Sequence, residues 1–194
     1  MIDFKDITLA YGGETVLQDC SLRVAQGERI ALMGPSGCGK TTLLNIAAGL
    51  LPAEGAEVHG TVSYVFQEPA LFPWLTAVEN INAVLSDTPA TLPRANEWLA
   101  AVGLADCANK HPHQLSGGQK QRVSIARALA YGGDILLLDE PFRGLDEDTR
   151  QLIADLICRT WQGKTLLLAT HDAQEAEMLG CGIYRYTNKH FVQE

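Results

Sequence analysis

GERIALMGPSGCGKTTLLNIAAGL, residues 27–50, governs how the rest of the chain is read. Within it, Gly34 and Gly39 bracket four residues and precede Lys40 and Thr41, the GxxxxGK[ST] spacing of a phosphate-binding loop. Ahead of the loop, Arg29-Ile30-Ala31-Leu32-Met33 reads as a buried strand. Behind it, Thr42-Leu43-Leu44-Asn45-Ile46-Ala47-Ala48 reads as a helix. That strand–loop–helix context gives the spacing its meaning. Glycines allow backbone N–H groups of Gly34, Pro35-Ser36-Gly37-Cys38 and Gly39 to turn inward around phosphates, although Pro35 itself has no N–H to give. Lys40 offers a point charge to the β and γ phosphates, the Thr41 hydroxyl suits Mg²⁺, and Thr42 completes the segment. The helix dipole then points its positive end at the same anion.

Further continuous apolar runs, Ile135-Leu136-Leu137-Leu138 and Thr165-Leu166-Leu167-Leu168, flank a stretch with helical periodicity over 146–161. Such runs joined by helices indicate a mostly parallel sheet covered on both faces. Residues 2–9 and 15–24 alternate as strands around the turn signal Tyr11-Gly12-Gly13, which predicts an N-terminal antiparallel hairpin. Residues 61–66 form another strand candidate ending at Gln67, and a short strand pair is expected over 182–192. Helices are expected over 76–85, 92–102 and 117–131, with Pro69, Pro73, Pro89 and Pro112 breaking the intervals. The expected architecture is α/β, one domain over 1–194 with a helical insertion over about 68–131.

Ligands gather at the carboxyl ends of strands in open parallel sheets, and polar residues stand there in this chain. Asp139 and Glu140 follow the aliphatic run 135–138. Asp139 is placed to serve the Mg²⁺ that Thr41 touches, and Glu140 to orient or deprotonate a water at the γ-phosphate. Gln67 and His171 end their own strands and are expected on the same sheet edge as Lys40 and Asp139. There the Gln67 amide can reach Mg²⁺ or the attacking water, and His171 can hold the γ-phosphate and align Glu140.

A second anion cradle appears in LSGGQ, residues 115–119, which opens the helix over 117–131. Ser116, Gly117, Gly118 and Gln119 present a hydroxyl and free N–H groups at that helix start. The first loop already holds a triphosphate, so the second is expected to meet a nucleotide carried by another molecule. A symmetric head-to-tail pair would bury two ATPs, each between Lys40 of one copy and Ser116 of the other.

Composition narrows the alternatives. The formal net charge is −8, without the basic surface of a dedicated nucleic-acid binder. The five cysteines are scattered and lack CxxC spacing, against a disulfide framework or zinc site. No apolar run approaches the ~18 residues of a membrane span, and Met1-Ile2-Asp3-Phe4-Lys5-Asp6 lacks the start of a signal peptide.

Together GPSGCGKTT, LSGGQKQR and ILLLDEP make the chain similar, over essentially its whole length, to the nucleotide-binding subunits of ATP-binding cassette (ABC) transporters. The resemblance implies a P-loop NTPase with a RecA-like core, in which these segments are the Walker A loop, the signature and the Walker B strand. It implies Gln67 as the Q-loop glutamine, Glu140 as catalytic glutamate, Asp146 as the D-loop aspartate, His171 as the switch histidine, and Tyr11 as the ring that stacks on adenine. It also implies Mg²⁺-dependent ATP hydrolysis by a homodimer, or by a pair with a related subunit, that closes on two ATPs. Motion would pass to integral membrane permease subunits. The segment 66–80 resembles that of bacterial importers of small anions and sulfonates, which implies a periplasmic or extracellular solute-binding protein and a place on the cytoplasmic face of the cell membrane. Arg143-Gly144-Leu145-Asp146 departs from the family, which more often has a small residue and alanine before Leu-Asp. The interval from Lys40 to Gln67 is shorter than usual, and no regulatory C-terminal domain is expected.

Overall fold

The computed structural model describes residues 1–11, 14–86, 88–187 and 190–194, with the side chains of Tyr11 and Glu14 outside the description. The chain forms two compact units, Met1–Tyr64 with Asp134–Glu140 and Trp161–Glu194, and Val65–Gly133 with Pro141–Thr160.

The first unit carries two sheets. β1 (Ile2–Tyr11) and β2 (Glu14–Val24) pair antiparallel as the alternation predicts, and β4 (Ala56–Val58) adds a third strand against Ile2–Phe4. The expected hairpin is therefore a three-stranded sheet in the order β2-β1-β4. Three residues are too few for periodicity to reveal. β4 is positioned by Gly55, whose φ of +83° and carbonyl, accepting the Lys5 N–H at 3.0 Å, turn the chain onto β1.

The larger sheet has the order β5-β6-β7-β3-β8-β9, from β3 (Arg29–Met33), β5 (Val62–Val65), β6 (Ile135–Asp139), β7 (Thr165–Thr170), β8 (Gly182–Thr187) and β9 (His190–Gln193). Every residue of β6 and β7 is buried, as expected of strands covered on both faces. Parallel pairing sets Met33 opposite Thr170 and Asp139 opposite Ala169, so β6, β7 and β3 end side by side. β9 runs antiparallel against β8. Ile30, Leu32, Leu137 and Leu167 meet Leu43 and Leu44 of α1 (Lys40–Ala47) in one core. A short helix that periodicity did not reveal, α6 (Ala173–Met178), follows β7 and is capped by Asp172 accepting the Gln174 N–H at 2.9 Å.

The second unit is helical: α2 (Ala77–Asn82), α3 (Leu92–Ala101), α4 (Gly117–Tyr131) and α5 (Glu147–Thr160). Thr76 and Glu79 close a capping box on α2. α4 buries Val123, Ile125, Ala126 and Leu129 and ends at Gly132, whose φ is +75°. Arg122 on α4 donates to the carbonyls of Val102 and Gly103 at 3.1 and 3.3 Å, placing a cation where the α3 dipole is negative.

Candidate functional site

In the first unit, the loop between β3 and α1 has the shape its glycines dictate. Gly37 and Gly39 adopt φ of +82° and +99°, and a Cβ on Gly39 would lie 2.5 Å from Leu17 Cδ2. A Cβ on Gly34 would lie 2.7 Å from Tyr186 Cβ and 2.8 Å from Cys38 Sγ. Lys40 is 8% exposed, and its Nζ donates to the carbonyls of Gly34 and Pro35 at 2.7 and 3.0 Å. The ammonium thus lies folded across the loop that Gly34–Gly39 make. No side chain caps α1, leaving its first-turn N–H groups to an outside acceptor. These donors fit a polyphosphate.

Asp139 ends β6 at 2% exposure and accepts a hydrogen bond from the Thr41 hydroxyl. Burial pushes its carboxyl above the ordinary carboxylate range. The Thr41 bond works against that rise, Glu140 adds to it, and Lys40 opposes it. A hydroxyl and a carboxylate oxygen in contact are a donor set suited to a hard divalent cation such as Mg²⁺. Thr42 follows as a member of α1.

Glu140 leaves β6 with φ of +44°, an unusual backbone for a non-glycine residue, while its N–H donates to Ala169 O at 2.9 Å. The kink turns the chain out of the sheet directly after Asp139. His171, one residue past β7, places Nδ1 3.5 Å from Glu140 Oε1, with the imidazole 73% and the carboxylate 22% exposed. Strand-end placement predicts these two residues near one another. What fixes the turn lies in α6: the Thr170 hydroxyl donates to buried Glu175 and accepts the Asp172 N–H at 3.1 Å. The Asp172-Ala173-Gln174-Glu175 spacing, a cap residue with glutamate three later, was the available signal. The Tyr11 side chain, expected against adenine, lies outside the described residues.

The second unit contains the other cradle. Ser116 Oγ accepts the Gln119 N–H at 3.3 Å, and Gln119 Oε1 accepts the Ser116 N–H at 2.9 Å. The Gln119 amide nitrogen donates on to Cys107 Sγ at 3.7 Å. With its own side chain committed to the cap, Gln119 shapes the helix start while Ser116 keeps its hydroxyl proton to donate. The two glycines differ: a Cβ on Gly118 would lie 3.0 Å from Gly144 O, whereas one on Gly117 would meet nothing within 4 Å. Gly118 permits close packing, and Gly117 leaves the helix start open to a ligand.

A cavity of about 580 Å³ adjoins this helix start, lined by Gln67, Glu68, Ser116, Gln121, Arg143 and Asp146 among others. Gln67 therefore shares a cavity wall with the second cradle. Asp146 caps α5, its two carboxylate oxygens accepting the Thr149 N–H and hydroxyl at 2.9 and 3.0 Å. The Thr149 backbone bond, then its hydroxyl, hold the Asp146 carboxyl below the usual range, with a smaller pull from Arg122. Arg143, where the sequence departs from the common pattern, stands 4.0 Å from Glu68 in a solvent-exposed pair.

The ABC transporter family model matches residues 17–143. The taurine import ATP-binding protein TauB of Pelagibacter ubique is 44% identical over 190 residues, covering 89% of this chain and 72% of its own. The aliphatic sulfonates import ATP-binding protein SsuB of Bacillus licheniformis is 44% identical over 188 residues, covering 90% and 74%. Among solved structures, the dimeric post-hydrolysis state of the ATP-binding cassette MJ0796 bound to ADP and Pi superposes with a TM-score of 0.89 at 32% identity, covering 100% of this chain and 98% of that one.

Proposed function

This chain belongs to the ABC transporter family and is an ATPase, and we propose that it drives import of small sulfonate-type anions through separate membrane subunits. The observation that carries the chemical part is the shared edge of β6, β7 and β3, where Lys40, the Thr41–Asp139 pair and the Glu140–His171 pair stand in one unit. The loop N–H groups and Lys40 bind the β and γ phosphates of ATP. Thr41 and Asp139 would hold Mg²⁺, which would supply neutralising charge to the phosphate oxygens. The Glu140 carboxylate accepts a hydrogen bond from a water and directs its oxygen at the γ-phosphorus. A P–O bond to that water forms as the bond to the β,γ-bridging oxygen breaks, and ADP leaves. The water proton passes by way of Glu140 to the phosphate product. His171 Nδ1, 3.5 Å from Glu140, keeps the carboxylate turned toward the water.

Ser116, Gly117, Gly118 and Gln119 serve the ATP of a second copy, and Asp146 lies on the same contact. Phe72 and Trp74, 41% and 70% exposed, present apolar surface to a cytoplasmic helix of a permease subunit. No helix among the described residues is long and apolar enough to cross a membrane, in keeping with a peripheral place on the inner face. A solute-binding protein outside the membrane would deliver the cargo. Relatives named for taurine and aliphatic sulfonate import support that substrate class.

The test joins both halves. Glu140→Gln should lower ATP turnover of the purified protein by about 100-fold or more while ATP still binds. A strain whose own copy carries Glu140→Gln should fail to grow on taurine or an alkanesulfonate as sole sulfur source and still grow on sulfate. Unchanged turnover would remove Glu140 from the mechanism, and unchanged growth would remove the sulfonate assignment.

A further inference from the structure

One helix of the second unit touches two surfaces with different partners. At its start, α4 carries the Ser116 cradle. Roughly three turns further along, about 16 Å at 1.5 Å per residue, it carries Arg127. No glycine or proline interrupts α4 between Gln119 and Tyr131, and its buried side packs Val123, Ile125, Ala126 and Leu129. The segment is stiff enough for a displacement at one end to reach the other.

Arg127 grips the exposed aromatic loop. Its Nη2 donates to Ala70 O at 2.7 Å, and its guanidinium carbon lies 5.6 Å from the Phe72 ring centroid. The Phe72 and Trp74 rings are 5.6 Å apart, so the most exposed aromatic of the loop rests on the one that Arg127 holds. From the other side the loop is clasped by Asn80 of α2, which is fully buried. Its amide nitrogen donates to the carbonyls of Phe72, Leu75 and Thr76 at 3.2, 3.1 and 3.0 Å, and its Oδ1 accepts the Phe72 N–H at 2.8 Å. Residues 72–76 are thereby a single body with two attachments, one to α2 and one to α4. Burial pulls the Arg127 guanidinium below its ordinary range, as expected of a cation held against protein rather than in water.

We propose that Arg127 is a positioning residue that ties the Phe72–Trp74 surface to the signature end of α4, so that nucleotide arriving at Ser116 is felt where the membrane subunit docks. Chain connectivity from Gln67 offers one route into this loop. The guanidinium supplies a second, through a side chain on a different element. Lysine does not replace it, because an ammonium lacks the planar face and the fork that stack and donate at once. The inference rests on reading LSGGQ as the cradle for a second copy's ATP.

Hydrogen exchange, read by mass spectrometry on the full chain carrying Glu140→Gln with and without MgATP, separates the two ideas. In that parent chain, ATP should slow exchange over 116–120 and also alter exchange over 70–76. Adding Arg127→Leu should leave the response at 116–120 in place and shrink the response at 70–76 by about five-fold or more. Arg127→Lys should behave like Arg127→Leu. Phe72→Leu removes the ring contact and leaves the Arg127–Ala70 bond, so it should shrink the response at 70–76 in the same direction and by less, which keeps the test open should Arg127→Leu fold poorly. An undiminished response at 70–76 in these variants overturns the proposal, as does a parent that responds at 116–120 alone. A parent with no response at 116–120 removes the cradle reading and the coupling with it.

Discussion

Asp139 shows how a single carboxylate can be placed against its own preference. It sits at the end of a fully buried strand with 2% exposure, and burial lifts its carboxyl above the ordinary value of about 4 despite the Thr41 hydrogen bond and the nearby Lys40. Between the unfolded and the raised folded value, the folded chain holds a proton that the unfolded chain has released. Stability of the nucleotide-free protein therefore declines as pH rises through that window and recovers on acidification. Asp139→Asn should raise the melting temperature of nucleotide-free protein above the window, flatten this part of the pH profile, and weaken Mg²⁺-dependent ATP binding. Thermal denaturation from pH 4 to 8 checks it. A lower melting temperature for Asp139→Asn at neutral pH would mean that the ionised carboxylate is favourable where it stands. The adjacent Glu140 illustrates a different cost, a φ of +44° that turns it out of the sheet toward His171.

At the scale of elements, the start of α4 separates packing from binding within two neighbouring glycines. A methyl group on Gly118 would press on Gly144 O at 3.0 Å, and one on Gly117 would meet open space. Gly118→Ala should lower the melting temperature, whereas Gly117→Ala should preserve or raise it, since alanine at a compatible, uncrowded position restricts the unfolded chain by about 0.4–1 kcal/mol, while still weakening the response to ATP at Ser116. Differential scanning calorimetry of the two variants decides between this and equal effects. The glycines themselves were visible in LSGGQ, but their division of labour depends on Gly144, distant in sequence. The same contrast holds for the fold. β3, β6 and β7 were legible because continuous aliphatic runs need cover on both faces, and the phosphate loop because its spacing admits few other uses. β4 was not, since three residues owe their strand state to pairing with Ile2–Phe4 rather than to any local pattern. Nor was α6, six residues long. The Glu140–His171 contact was expected from strand ends alone, whereas the Thr170–Glu175 bond that braces it needed α6 to be known. Gln121 of α4 stands in the polar run Gln119-Lys120-Gln121-Arg122. It is nevertheless 3% exposed with both amide atoms unpaired, a placement that only the packing of α4 determines.

For the whole molecule, two cradles in one chain ask for two nucleotides and two copies. The Lys40 loop and the Ser116 helix start belong to different compact units, and each has donors suited to the same anion. A head-to-tail pair would satisfy both at once and make ATP the bond between copies. The structural relative bound to ADP and Pi is itself dimeric. ATP should therefore control association, and hydrolysis at Glu140 should end it. Sedimentation velocity of Glu140→Gln, with and without saturating MgATP, tests this most directly. A dimer should appear only with ATP, and Glu140→Gln combined with Ser116→Arg should stay monomeric while still binding ATP. A protein that binds ATP yet remains monomeric, or a dimer indifferent to Ser116→Arg, would contradict it.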